Sequence, residues 1–359
     1  MKLNGVTTQG IQELKPLLGR LLPQRFLTSR LLRFLCDSGV LDLLSSSREV
    51  TLETAKSLFG QKLGFDTTGH VRARMIQIIM DFLCECGFME RQAETYCWIQ
   101  TADDIGGLSN EEYDQISSFF GGQIMFFEKC IDYACEFLTG GPPLFRFDRK
   151  SLHVWASFLG NAEFEMARSL LVKLLSSGNA ETCRLLNLCS GLGFDVNSVQ
   201  TVMPEAEITA IDFTDVFHDR AYHRVKNPES IRWIDSSLWN GFGYPLPFHD
   251  RTFDIVFFAC ADPYIPRGSR NYVYRDIHRV LKKSGSLGVL TNSYPDAERE
   301  FVSDTWIRRG VLCHDFAESV CEGWQGFSRP EDSLAVFRDA GFSVSSTILN
   351  ASIWRLEKP

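Results

Sequence analysis

The run Arg184-Leu185-Leu186-Asn187-Leu188-Cys189-Ser190-Gly191-Leu192-Gly193-Phe194, followed by Ile208-Thr209-Ala210-Ile211-Asp212, decides the fold. A short apolar strand enters Gly-x-Gly and continues into a helical stretch, 194–202, closed by Pro204. A second apolar strand ends on an acid 21 residues after Gly191. Glycines let a backbone turn come close to a nucleoside, and a strand-end acid can accept hydrogen bonds from both ribose hydroxyls. The third glycine of a dinucleotide fingerprint is missing, so the pattern implies a nucleoside and no pyrophosphate. A glycine pair alone marks many tight turns. Here the flanking strand, helix and acid give it meaning.

From residue 181 onward, strands and helices alternate. Strands are expected at 184–189, 207–212, 231–235, 253–260 and 286–293, helices at 271–282 and 331–340, and a closing strand pair within 342–356. This is an open, doubly wound, mostly parallel α/β sheet of Rossmann-like type. Its ligand crevice lies at the carboxyl ends of the strands. An insert, 295–330, carries Trp306, His314, Phe316, Trp324 and Phe327 with Gly323 and Gly326 at its hinges. It reads equally as a cover over a substrate and as a packed helix.

Upstream, apolar periodicity predicts helices over 27–44, 51–58 with Thr51 as N-cap, and 72–86. A short two-stranded wing follows at 88–91 and 95–99. Three helices and a wing form a winged-helix pattern. The third helix has two arginines and is otherwise apolar or neutral, which suits burial against a partner better than a DNA groove. Residues 110–178 form a second helical stretch rich in aromatic residues, split at Gly140-Gly141-Pro142-Pro143. Most of these rings pack in a core and a few line a pocket. Three parts result: a winged-helix-like dimerisation domain, 1–105; a helical linker and pocket segment, 106–178; and a nucleoside-binding domain, 179–359.

A chain of 359 residues, 44% hydrophobic and 23% charged, can fill the cores of two domains. The net charge of −8 opposes binding to nucleic acid by phosphate neutralisation. Eleven cysteines are scattered without a zinc pattern. Residues 1–15 are polar and mixed, and no apolar run approaches a membrane span. A reduced, cytoplasmic protein that binds neither nucleic acid nor membrane is the expectation.

The order of these blocks resembles the class I S-adenosyl-L-methionine (SAM)-dependent methyltransferases. The stretch 186–193 looks like their first motif, and Asp212 stands at their ribose acid. Pro245-Leu246-Pro247-Phe248, leading into Phe253-Asp254-Ile255-Val256, is similar to their entry into the fourth strand. Arg279-Val280-Leu281-Lys282-Lys283-Ser284-Gly285 and Ala340-Gly341-Phe342 match two later turns. The N-terminal half resembles the branch that methylates small molecules and pairs through a winged-helix domain, with Leu35–Leu44 like that domain's helix end. The resemblance implies SAM as cofactor and a homodimer. It assigns Asn187, Ser190, Gly191, Gly193, Asp212, Phe213, Asp235, Ser236 and Cys260 to cofactor binding. Asn187 stands where the family has an acid, so it can accept a hydrogen bond from the methionine ammonium without pairing as an ion. Cys189 and Ser190 replace glycines.

Methyl transfer is an in-line displacement at an activated sulfonium, and a hydroxyl nucleophile needs a base as well. The "HDW" histidine of plant-type O-methyltransferases is absent. Its place reads Cys260-Ala261-Asp262-Pro263-Tyr264. Tyr264 is expected nearest the methyl, with Asp262 orienting a polar acceptor. His153 and His314 are the candidate bases, and no metal is expected. Arg146, Arg267 and Arg270 are candidates for a substrate carboxylate. The expected activity is methyl transfer to an O-, S- or N-nucleophile of a small molecule held between the aromatic helices and the sheet. Alternatives are S-methylation of a thioether acid such as methylthiohydroxybutyrate, a non-methylating cyclase or lyase on this scaffold, and a winged-helix regulator.

Overall fold

The computed structural model describes residues 22–99, 107–177 and 182–359. The expected boundaries at 105 and 178, and the polar first 15 residues, lie outside them. The described residues form two compact units. One runs to Arg146 and includes Val302–Gly326, and the other comprises Phe147–Phe301 and Phe327–Pro359.

In the first unit, α1 (Leu22–Asp37) and α2 (Val40–Ser47) replace the single helix that periodicity predicts. The chain breaks at Gly39, whose φ of 77° is left-handed backbone that a β-carbon opposes. The three-residue β1 (Glu49–Thr51) leads into α3 (Leu52–Leu63). Thr51 caps α3 reciprocally with Thr54, and the helix passes Gly60 to stop at the left-handed Gly64. Next come α4 (His70–Glu85), β2 (Met89–Gln92) and β3 (Thr95–Trp98), with β3 between β1 and β2 in an antiparallel sheet. Helix–strand–helix–helix–strand–strand is winged-helix order. The apolar side chains of α4, from Met75 to Leu83, are buried within this unit. A Ser109–Glu112 capping box starts α5 (Asn110–Leu138), which bends at Phe120, just before Gly121.

The second unit opens with α6 (Leu152–Leu159) and α7 (Ala162–Ser176), then β4 (Arg184–Leu188), α8 (Phe194–Val202), β5 (Glu207–Ile211), α9 (His218–Arg224), β6 (Arg232–Trp233) and β7 (Phe253–Ala259). After α10 (Arg270–Val280) and β8 (Leu281–Leu290) the chain enters the other unit as α11 (Thr305–Glu318). It returns with α12 (Pro330–Asp339), β9 (Ser343–Ile348) and β10 (Ile353–Glu357). The sheet order is β6-β5-β4-β7-β8-β10-β9. It is parallel from β6 to β8, and β10 runs antiparallel to both neighbours. The strand order reverses between β4 and β7, which is where open α/β sheets bind ligands.

Side chains alternate across this sheet, and each face has its own core. Leu185, Ile255 and Phe257 pack with Leu171, Leu175, Val196 and Val199 of α7 and α8. Leu186, Leu188, Val256 and Phe258 pack with Tyr274 and Ile277 of α10 and Phe337 of α12. The Leu246–Phe248 turn is pinned by α10. Asp276 accepts the Leu246 N–H at 2.6 Å, and Arg279 donates to the carbonyls of Leu246 and Phe248. That ties the 245–248 block to the 279–285 block. The segment 302–326 is a packed element of the first unit, where α11 lies against α1, α4 and α5. Among the described residues no helix is long and apolar enough to cross a membrane.

Candidate active site

β4 ends at Leu188, and the chain turns through Cys189 and Ser190 into the glycine loop. The Ser190 N–H donates to Ile211 at the end of β5, at 3.1 Å, which holds the loop against the neighbouring strand. Gly191, with φ of 50°, donates its N–H to Oδ2 of Asp212 at 2.7 Å. The Thr214 N–H reaches Oδ1 at 3.3 Å. Burial pushes the Asp212 carboxyl up to about 6, and these backbone donors oppose that rise. The acid therefore faces the crevice with its pKa close to neutral pH.

Around it lies a cavity of about 470 Å³, a volume suited to a nucleoside. Ser190, Gly191, Asp212, Asp235 and Ser236 line it. Asp235 accepts the Ser237 N–H at 2.8 Å, and the Ser237 hydroxyl together with that N–H lowers its pKa. His218, which begins α9 after β5, also lines it, and so do Arg149, Thr214, Asp215, Asp219 and Trp233, which were not singled out from the sequence. Thr214 and Asp215 follow the end of β5 directly, so the strand-end rule could have found them. Trp233 ends β6 and offers a flat indole wall, with His218 edge-on at 5.4 Å. Nothing in the sequence around Arg149 marks it.

Four expected cofactor residues do not line the cavity. Asn187 is fully buried with its side chain turned toward the Asp195 carboxyl. Asp195 also pairs with Arg168 of α7 at 2.6 Å, and burial raises its pKa. Gly193 serves packing, since a β-carbon there would sit 2.8 Å from Cα of Ala221 on α9. Phe213 points its ring at Phe147, Trp239 and Phe242. Cys260 adopts a left-handed φ of 59° and donates its N–H to Leu290 at 2.7 Å.

The turn after β7 carries the acceptor-side candidates. Asp262 is buried, and its carboxylate accepts from Tyr274 at 2.6 Å and from Arg270 at 2.9 and 3.0 Å. Burial and this carboxylate push the Tyr274 phenol well above its ordinary range. Asp262 and Arg270 thus occupy each other and hold the turn in place. Tyr264 is half-buried, and its ring meets Phe147 edge-on at 5.2 Å. Phe147 also contacts Trp155, Phe213 and Phe217, joining the ends of β5 and β7 under one aromatic cluster. His153 is exposed on α6, and Arg146 and Arg267 are exposed. His314 belongs to the other unit, where it is buried beside Glu318 at 2.8 Å, edge-on to Phe127 and parallel to Trp324. Among the described residues no cluster of histidine, cysteine and acid side chains suits a metal ion.

Residues 185–285 match a family model described as a methyltransferase domain. The demethylmenaquinone methyltransferase of Thermotoga maritima is 28% identical over 188 residues, covering 50% of this chain and 77% of that protein. Among solved structures, the DszA carbon methyltransferase superposes with a TM-score of 0.60 at 14% identity over 98% of this chain and 92% of that one. An O-methyltransferase family 2 protein from Planctomyces limnophilus, solved with apigenin, gives 0.55 at 13% identity over 95% and 93%. The strand order, the glycine loop after β4 and the acid at the end of β5 agree with a class I methyltransferase fold, and so does the family match. The chain is a SAM-dependent methyltransferase. The residues fit the cofactor: a glycine turn with room for close approach, a carboxylate aimed into the cavity, and an indole wall. When bound, SAM supplies an activated methyl group, and the protein positions the acceptor and excludes water.

Proposed function

We propose that the acceptor is an electron-rich ring compound methylated without a base from the β7 turn. The aromatic cluster of Phe147, Phe213, Phe217 and Tyr264 at the ends of β5 and β7 carries this reading. The turn that follows β7 has no histidine, and the oxygens of Asp262 are engaged by Arg270 and Tyr274. It offers a surface for a ring in place of a proton acceptor. The named activity of the Thermotoga maritima relative, on a demethylated quinone, supports a ring acceptor. When bound, SAM would supply the methyl, the electron pair of its broken C–S bond passing to sulfur, and the ring would gain the methyl and release its proton to water.

The second reading is S-methylation of a thioether acid, which the same lack of a base on the turn favours. Labelled SAM is offered with a naphthoquinol, a simple phenol and methylthiohydroxybutyrate, and products are resolved by mass spectrometry. Label in the naphthoquinol ring is the expected result. Label in the thioether alone overturns the ring acceptor.

We infer too that two copies pair through the winged-helix unit. This rests on the resemblance, because α4 buries its apolar face within its own unit. Light scattering that reports a monomer at micromolar concentration refutes it. Eleven free thiols suit a reducing, cytoplasmic setting.

A further inference from the structure

The cavity around Asp212 is lined by acids. Asp212, Asp215, Asp219 and Asp235 all face it, and among the described residues that line it Arg149 is the only arginine or lysine. Arg149 makes no hydrogen bond or ion pair with any described residue. Its backbone, by contrast, is fixed from both sides. Two residues before it, Phe147 stacks on Trp155 at 5.6 Å and meets Phe213, Phe217 and Tyr264 edge-on. Two residues after it, Ser151 donates its N–H to Oδ1 of Asp148 at 2.9 Å. That bond engages the one acid adjacent in sequence and lowers its pKa. An unpaired guanidinium is thus delivered to an acidic cavity on an anchored segment.

The cofactor carries a sulfonium, an ammonium and one carboxylate. The cations suit the acidic wall. The carboxylate is repelled by it and needs a cation, and a guanidinium can take it through two parallel hydrogen bonds. We propose that Arg149 holds the carboxylate of the cofactor's methionyl group. It rests on the assignment of this cavity to SAM, and it makes Arg149 a binding residue for substrate and product cofactor alike, since both keep that carboxylate.

The test compares three ligands by calorimetry: SAM, S-adenosylhomocysteine and methylthioadenosine, which keeps the adenine and ribose but lacks the carboxylate. Arg149→Gln is expected to weaken the first two about tenfold and leave methylthioadenosine within about twofold. Arg149→Lys, a point charge without the fork, is expected to lose about threefold on the first two only. Arg149 is exposed and unpaired, so both variants are expected to melt like the parent protein, which removes misfolding as a cause. Equal losses on all three ligands, or no loss on any, would overturn the assignment. Asp212→Ala separates the underlying premise: it is expected to weaken all three, and unchanged binding there would sink the cavity's assignment to SAM itself.

Discussion

At the scale of single residues, Asp212 shows how a buried acid proposed to bind the cofactor is held at a cost to the fold. Its raised pKa means that the folded protein keeps a proton that the unfolded chain has already lost between its ordinary value of 3.8 and about 6. Stability of the cofactor-free protein therefore falls as pH rises through that window and stays reduced above it. Asp212→Asn is expected to melt higher than the parent near about pH 7.5 and level with it near about pH 4, while binding SAM about 10- to 100-fold more weakly. In the parent, SAM affinity is expected to fall about tenfold between about pH 7 and about pH 5, as the proton competes with the ribose hydroxyls. A pH-independent affinity contradicts this.

Asn187 gives the opposite lesson. The family motif suggests that an acid there would improve cofactor binding. The structure buries Asn187 against Asp195, whose charge Arg168 already balances. Asn187→Asp would set two carboxylates on one guanidinium. It is expected to cost about 2–4 kcal/mol near neutral pH and less near about pH 5, where one carboxyl takes up a proton. Urea unfolding at the two pH values measures it, and a variant as stable as the parent at neutral pH refutes it. The place of Asp212 at the end of β5 and in the cavity wall was legible in the sequence because strand and acid are contiguous. The direction in which Asn187 faces was not, because it depends on a helix that begins seven residues later.

At the scale of elements, the strands and helices of the second unit follow the sequence closely because each sheet face has its own alternating apolar set. The 194–202 helix is found at its expected bounds. The misses in the first unit are short or glycine-controlled. β1 is three residues long, too few to show a period, and Gly39 breaks a helix whose apolar pattern continues on both sides. Glycine also decides how α8 meets α9. At Gly193 the φ of 79° and the backbone of Ala221, 2.8 Å from any β-carbon, both exclude a side chain. Gly193→Ala is expected to destabilise by about 2–4 kcal/mol, combining a left-handed alanine with a backbone clash. By contrast, a β-carbon at Gly191 meets only the Cys189 carbonyl, at 3.9 Å. Thermal unfolding of the two alanine variants side by side checks this, and the Gly191 variant is expected to melt closer to the parent.

At the scale of the whole molecule, the chain leaves its sheet after β8 to complete the other unit. No local pattern in 302–326 announces that, since a packed helix and a cover share the same aromatic composition. Its ion pairs reveal the destination. Arg308 joins Glu85 of α4 at 2.6 Å, and Arg74 of the same helix joins the fully buried Asp315, which also accepts from the Trp324 indole at 2.9 Å. Removing one partner leaves the other's charge buried and unpaired, which costs more than the pair contributes. Asp315→Ala is therefore expected to destabilise the N-terminal unit by about 3–5 kcal/mol. The cavity around Asp212, proposed to hold SAM, is lined entirely from the other unit. Below the melting range, SAM affinity of this variant is accordingly expected to stay within about twofold of the parent, a change under about 0.5 kcal/mol. Calorimetric unfolding and SAM titration on one preparation measure both. A matching loss of affinity at low temperature would show that the cofactor site depends on this buried pair.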